Sequence, residues 1–187
     1  MADSGVGAGT LSDGYSGNFN TSYGSTNCVD FTGVEHFLLT PTEHGDTLTT
    51  NRGNDRVSVG GGRDVVQMGL GDDTLVLDWS GYGYGVQNGV AMGGGISAEG
   101  GYFGAFDTLY GSTYRVDFTQ VEHFGLTLTD QADAVKTCNG NDTIAAGSGA
   151  DILVSGKGID HVDGGFETDL SRGADGWTPT NRMRRSA

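Results

Sequence analysis

The sequence predicts an all-β protein, a solenoid of short parallel strands and glycine-rich turns arranged in two duplicated units. Three observations carry that prediction. Aspartates recur every nine residues in two blocks, an aliphatic residue follows almost every one of them by two positions, and the chain overlays itself at an offset of 87 residues. Internal periods of this kind mark repeat architectures, in which each unit buries its apolar face only against its neighbours.

The nine-residue period is the most regular of the three. Asp46, Asp55, Asp64 and Asp73 form the first block, and Asp133, Asp142, Asp151, Asp160 and Asp169 the second. Two positions later stand Leu48, Val57, Val66 and Leu75, then Val135, Ile144, Leu153 and Val162. Two positions earlier stands glycine at Gly53, Gly62, Gly71, Gly140, Gly149 and Gly158, with a second glycine two before that at Gly60, Gly69, Gly147 and Gly156. The pattern is G-x-G-x-D-x-U-x with U aliphatic. Glycine supplies the positive-φ conformations that tight turns need. A turn and a short strand in each nonapeptide reverse the chain twice every 18 residues, which makes one coil. Coils that stack as parallel strands lie about 4.8 Å apart, so aspartates 18 residues apart stand one above another on the same edge.

Such a stack is unfavourable by itself. Two carboxylates about 5 Å apart repel by roughly 3 kcal/mol at an effective dielectric of about 20. Each nonapeptide buries one aliphatic side chain, worth roughly 2 kcal/mol, against about 1 to 2 kcal/mol of backbone entropy for each of its residues. A cation between the turns is therefore required. Calcium suits the donors, because it is a hard ion that accepts about six to eight oxygens in flexible geometry from carboxylates and backbone carbonyls. The candidate positions for several Ca²⁺ ions are Gly53, Asp55, Gly60, Gly62, Asp64, Gly69, Gly71 and Asp73 in the first block. In the second they are Gly140, Asp142, Gly147, Gly149, Asp151, Gly156, Gly158 and Asp160. A softer metal would need clustered His or Cys, and His36, His44, His123 and His161 are not paired at ligand spacing.

The 87-residue offset lays residues 23–26 on 110–113 and residues 29–37 on 116–124, so that Val34-Glu35-His36-Phe37 meets Val121-Glu122-His123-Phe124. Residues 29–40 and 116–129 are rich in β-branched and aromatic side chains and read as strands leading into each block. Residues 81–104 are dominated by glycine with scattered tyrosine and read as long loops. The domain reading is a first repeat unit over 1–77, a second over 78–171, and a basic, disordered tail over 172–187. The Glu-His pairs are read as structural residues copied with the unit, and Trp79 and Trp177 as covers for solenoid ends or junctions.

Composition narrows the class further. With 35 glycines, 2 prolines and 35% hydrophobic residues among 187, an ordinary packed core is not available, and collagen's every-third glycine is absent. Residues 1–171 carry 6 basic against 23 acidic side chains. A body so acidic repels nucleic acid and anionic lipid and attracts cations. No run approaches the roughly 18 apolar residues of a membrane span, and the first residues do not form a secretory signal. Cys28 and Cys138 fall at non-equivalent places of the repeat, too few for a disulfide scaffold.

The nonapeptides resemble the hemolysin-type calcium-binding (RTX) repeats of bacterial toxins, proteases, lipases and large surface proteins. The resemblance covers residues 44–76 and 131–169 and implies a parallel β-roll, export by type I secretion, and folding on Ca²⁺ in the extracellular medium. It departs from the pattern at His44 and Gln131, which replace the turn glycine in the first loop of each block, and at Glu167, which replaces it in the last. Those terminal loops are expected to bind less well. The Arg-rich end, Arg182 to Arg185, does not resemble the family's export signal, so the chain is expected to be a fragment of a larger secreted protein. No nucleophile elbow, zinc-protease helix or phosphate loop occurs, and the function expected is non-catalytic calcium binding. The alternatives are the repeat module of a larger secreted enzyme or of an adhesin-type surface protein, with any protein or glycan target open.

Overall fold

The computed structural model describes residues 2–10, 14–21, 28–86, 89–92, 101–108 and 114–173. Every regular element among them is a strand. In the first unit these are β1 (Ala2–Thr10), β2 (Gly14–Thr21), β3 (Cys28–Val34), β4 (Leu38–Leu39), β5 (Thr47–Thr49), β6 (Arg56–Val59), β7 (Arg63–Gln67) and β8 (Thr74–Asp78). In the second they are β9 (Gly89–Met92), β10 (Tyr102–Asp107), β11 (Arg115–Val121), β12 (His123–Thr127), β13 (Ala134–Lys136), β14 (Thr143–Ala145), β15 (Ile152–Gly156), β16 (His161–Asp163) and β17 (Leu170–Gly173).

Alternate nonapeptides feed alternate sheets. The strands after Asp55, Asp73, Asp142 and Asp160 lie in a six-stranded sheet of order β16-β14-β12-β8-β6-β4, in which every pairing is parallel. The strands after Asp46, Asp64, Asp133, Asp151 and Asp169 lie in an eleven-stranded sheet of order β17-β15-β13-β9-β10-β11-β7-β5-β1-β2-β3. The register is the one the period demands: Val57 pairs with Leu75, Leu48 with Val66, Ile144 with Val162 and Val135 with Leu153, each 18 residues apart. This is an all-β parallel roll.

Two features depart from the expected plan. The glycine-rich stretch 81–104 is not all loop, because Gly89–Met92 and Tyr102–Asp107 pair with each other antiparallel and carry the large sheet across the junction between units. Glycine weakens strand propensity but leaves the backbone free to pair. The three-stranded antiparallel piece β9-β10-β11 also has a counterpart in β1-β2-β3, so both blocks are preceded by the same kind of insert. Arg172 and Gly173 end β17, and the rest of the tail, with Trp177, lies outside the described residues.

The core runs between the two sheets. All eight aliphatic residues at the U position are at most 4% exposed, which is what alternation along short strands with one inward face produces. Where the second insert enters, the thin aliphatic layer thickens: Phe106, Phe118 and Phe124 pack at ring distances of 5.2 to 5.7 Å. Trp79 is buried beside them in the same core. The second insert stacks on the first block through β7 with β11 and β8 with β12, and on the second through β9 with β13 and β12 with β14, so the two blocks share one continuous solenoid.

Candidate calcium-binding turns

The turns along both edges are tied together by one repeated bond. The backbone N–H of five aspartates donates to the carboxylate of the residue 18 positions later: Asp46 to Asp64 at 2.9 Å, Asp55 to Asp73 at 2.8 Å, Asp133 to Asp151 at 2.8 Å, Asp142 to Asp160 at 3.1 Å and Asp151 to Asp169 at 3.1 Å. The carbonyl of the same aspartate accepts from the next residue along that later strand, as Asp55 does from Thr74 and Asp142 from His161. Two apolar residues from the inserts begin ladders: Phe37 donates to Asp55 at 2.8 Å and Phe124 to Asp142 at 3.0 Å. Val86 donates to Asp133 in the same way.

The bond uses one carboxylate oxygen and leaves the other. Asp55, Asp73, Asp142 and Asp151 are at most 2% exposed, and the Oδ2 of each is buried without a hydrogen-bond partner. A buried acceptor without a partner costs about 1 to 3 kcal/mol, more when it is charged. Burial drives these carboxyls toward the neutral form, pushing Asp142 up to about 6, Asp64 and Asp151 up to about 7 and Asp73 up to about 8. Asp55 and Asp133 are raised by burial as well. A cation at the turns would satisfy the unpartnered oxygens and restore the charged form.

The first loop of each block is different, and the difference explains the departure seen in sequence. Among the described residues only Gln120 and Glu167 are non-glycines with positive φ, so His44 and Gln131 do not adopt the turn-glycine conformation. A threonine satisfies the aspartate instead. Thr42 donates its N–H at 2.7 Å and its hydroxyl at 2.8 Å to Asp46 Oδ2, and Thr129 donates both to Asp133 Oδ2 at 3.0 and 3.2 Å. In the last loop Glu167 takes the left-handed conformation at φ 80°.

The sequence-predicted glycines lie on the turns, with Gly156 at the end of β15. Gly53, Gly62, Gly140, Gly149 and Gly158, and also Gly69, Gly147 and Gly156, have positive φ. Gly71 sits directly over the carbonyl oxygen of Gly53, where a Cβ would overlap it, and Gly60 faces the Glu43 carboxylate. Gly158 combines both constraints, with φ at 140° and the carbonyl of Gly140 filling the place of a Cβ. Close vertical approach of turn to turn is thus the second reason for glycine here.

Other residues of the turns were not singled out by their period. His36 Nδ1 accepts the Asn54 N–H at 2.8 Å and His123 Nδ1 accepts the Asn141 N–H at 2.8 Å; Asn54 and Asn141 in turn accept the N–H groups of Asp72 and Ile159. Glu43 accepts the Gly61 N–H and the Tyr82 hydroxyl, both at 3.1 Å, while Tyr82 stacks on Tyr114 at 4.0 Å and Trp79 Nε1 donates to the Gly60 carbonyl. Both histidines of the Glu-His pairs thus bond to the turn 18 residues on. Their signal was available in the sequence, since His36 precedes Asn54 and His123 precedes Asn141 by 18 residues.

No group of three or more His, Cys, Asp or Glu side chains gathers into a metal site among the described residues. The turns bring backbone carbonyls, such as that of Gly53, close to the ladder carboxylates, the kinds of oxygen that calcium takes. A two-sheet roll with a carboxylate ladder on each edge defines the class of protein, a repeat whose turns match oxygen-liganded cations. Residues 42–75 and 139–170 match the family model of the RTX calcium-binding nonapeptide repeat, in four copies. These segments are RTX repeats. No curated protein and no solved structure matches the chain. Among the described residues no helix is long and apolar enough to cross a membrane.

Proposed function

We propose that the chain is a non-catalytic calcium-binding module that folds when its turns load with Ca²⁺ outside the cell. The observation that carries this reading is the set of four buried carboxylate oxygens without partners, at Asp55, Asp73, Asp142 and Asp151. Glycine carbonyls of the facing turns complete the donor set, and the ion supplies positive charge that offsets the repulsion between stacked carboxylates. Export in a calcium-poor, unfolded form followed by folding at millimolar calcium is what RTX repeats imply, and the formal charge of −14 favours the unfolded, extended chain until cations bind. The same module would serve within a larger secreted enzyme or a surface adhesin by giving a rigid, calcium-gated spacer.

Calorimetric titration of the chelator-treated chain tests the reading. Saturable binding of several Ca²⁺ ions that Mg²⁺ at equal concentration does not reproduce is expected. Heats no larger than dilution across the millimolar range would refute it.

A further inference from the structure

At the end of the first block the ladder meets no aspartate, because position 91, 18 residues after Asp73, is alanine. The slot is filled from 49 residues away. The Asp73 N–H donates to Glu122 Oε2 at 2.9 Å, and the Asp73 carbonyl accepts the His123 N–H at 2.9 Å. These are the two bonds that Asp46, Asp55, Asp133, Asp142 and Asp151 make with the residues 18 and 19 positions later. Gln120, two residues before Glu122, has φ 61°, a left-handed conformation at the place of the turn glycine. The step from β11 to β12 thus has a left-handed residue at the end of β11 and a glutamate, Glu122, in place of the aspartate.

Glu122 also faces the coil above. Its carbonyl oxygen lies where a Cβ of Gly140 would be, as the Gly53 carbonyl lies under Gly71. The strand that follows pairs His123 with Thr74 on one side and Gly125 with Thr143 on the other. Glu122 therefore takes the aspartate position for the first block and the turn-glycine position for the second, a register shift of two residues. Only a side chain one methylene longer than aspartate has been placed at that step. Glu122 is 6% exposed, Asp73 is fully buried, and Asp73 Oδ2 has no partner. The nearby imidazole of His123 is taken up by Asp72 at 2.6 Å.

We propose that Asp73 and Glu122 hold a calcium ion at the junction, so that the two blocks form one calcium ladder rather than two. The inference rests on the reading of the turns as calcium sites and adds a ligand outside the nonapeptide pattern. Glu35 is the duplicated twin of Glu122, but it is exposed, and among the described residues no strand pairs with β4 on its other side. Glu35 is thereby an internal control.

The test is the number of calcium ions per chain, read by native mass spectrometry on the full chain at saturating calcium, for wild type, Glu122→Gln and Glu35→Gln. Glutamine keeps an oxygen for the Asp73 N–H and removes the charge. The expected result is one ion fewer in Glu122→Gln and the wild-type count in Glu35→Gln. An unchanged count in Glu122→Gln overturns the junction site while leaving the other sites standing, whereas no bound calcium in wild type would refute the underlying reading instead. Should Glu122→Gln not fold, Glu122→Asp decides: the full count in that variant sustains the site, and a reduced count or failure to fold overturns it.

Discussion

The imidazole of His123 joins the two blocks: its Nδ1 accepts the backbone N–H of Asn141 in the second, and its Nε2 lies 2.6 Å from the Asp72 carboxylate of the first. An acceptor at Nδ1 places the ring proton on Nε2, where it donates to Asp72. His36 repeats the first bond, with Asn54. His123→Ala is therefore expected to destabilise the calcium-loaded fold by about 1 kcal/mol or less, the range for exposed, solvent-screened bonds. His36→Ala should cost less, and urea melts of the two variants at saturating calcium check the order.

The ranking of the turns follows from who already uses the aspartate. Asp46 and Asp133 have a threonine N–H and hydroxyl on Oδ2, whereas the Thr50 and Thr137 hydroxyls near Asp55 and Asp142 donate to the Met68 and Ser155 carbonyls and leave Oδ2 without a hydrogen bond. Asp142→Ala should raise the calcium midpoint of folding more than Asp133→Ala, and Asp55→Ala more than Asp46→Ala. The loss expected in the stronger pair is roughly 1 to 3 kcal/mol. Equal midpoints for all four variants, measured in one buffer, would show that the free oxygens are not the binding groups.

The metal-free fold should be steadied by acid. Burial raises the carboxyls of Asp64, Asp73, Asp142 and Asp151 to between about 6 and about 8, against about 3.9 in an unfolded chain. Between those values the folded chain holds protons that the unfolded chain has lost, so its stability is greatest below pH about 4 and declines as pH rises to about 8. Circular dichroism in excess chelator should accordingly show more strand signal at pH 5 than at pH 8. Calcium displaces these protons from the folded chain, so its binding to that state should release protons over the same pH interval.

Gly158 tests the close approach of the turns. A methyl group there would overlap the Gly140 carbonyl and occupy a left-handed backbone, whereas Gly81 has nothing within 4 Å. Gly158→Ala should cost about 1 to 3 kcal/mol from backbone strain alone, and Gly81→Ala close to nothing. Comparable calcium midpoints for the two variants would contradict the stacking described.

The period-nine aspartates and their aliphatic partners made the roll legible from sequence, because each nonapeptide encodes its turn, its carboxylate and its buried residue locally. Glu122 was not legible: it lies 49 residues from Asp73 and carries a different side chain, so no period connects them. The capping role of Thr129 was hidden for another reason, since threonine four residues before an aspartate is common in any loop. Strands at Gly89–Met92 and Tyr102–Asp107 were masked by glycine, whose propensity points to loop while the edges of β13 and β11 supply the pairing. The 87-residue duplication carried more than was taken from it, as the bonds of His36 and Phe37 recur at His123 and Phe124.

Calcium titration followed by far-ultraviolet circular dichroism tests the central claim most directly. If the buried Asp55, Asp73, Asp142 and Asp151 oxygens need an ion, the chain at neutral pH in chelator should lack strand signal, gain it cooperatively as calcium reaches the millimolar range, and lose it again on chelation. Ligand that binds only the folded state shifts folding in this way by mass action. The same strand spectrum and melting temperature in excess chelator as in excess calcium would contradict the account.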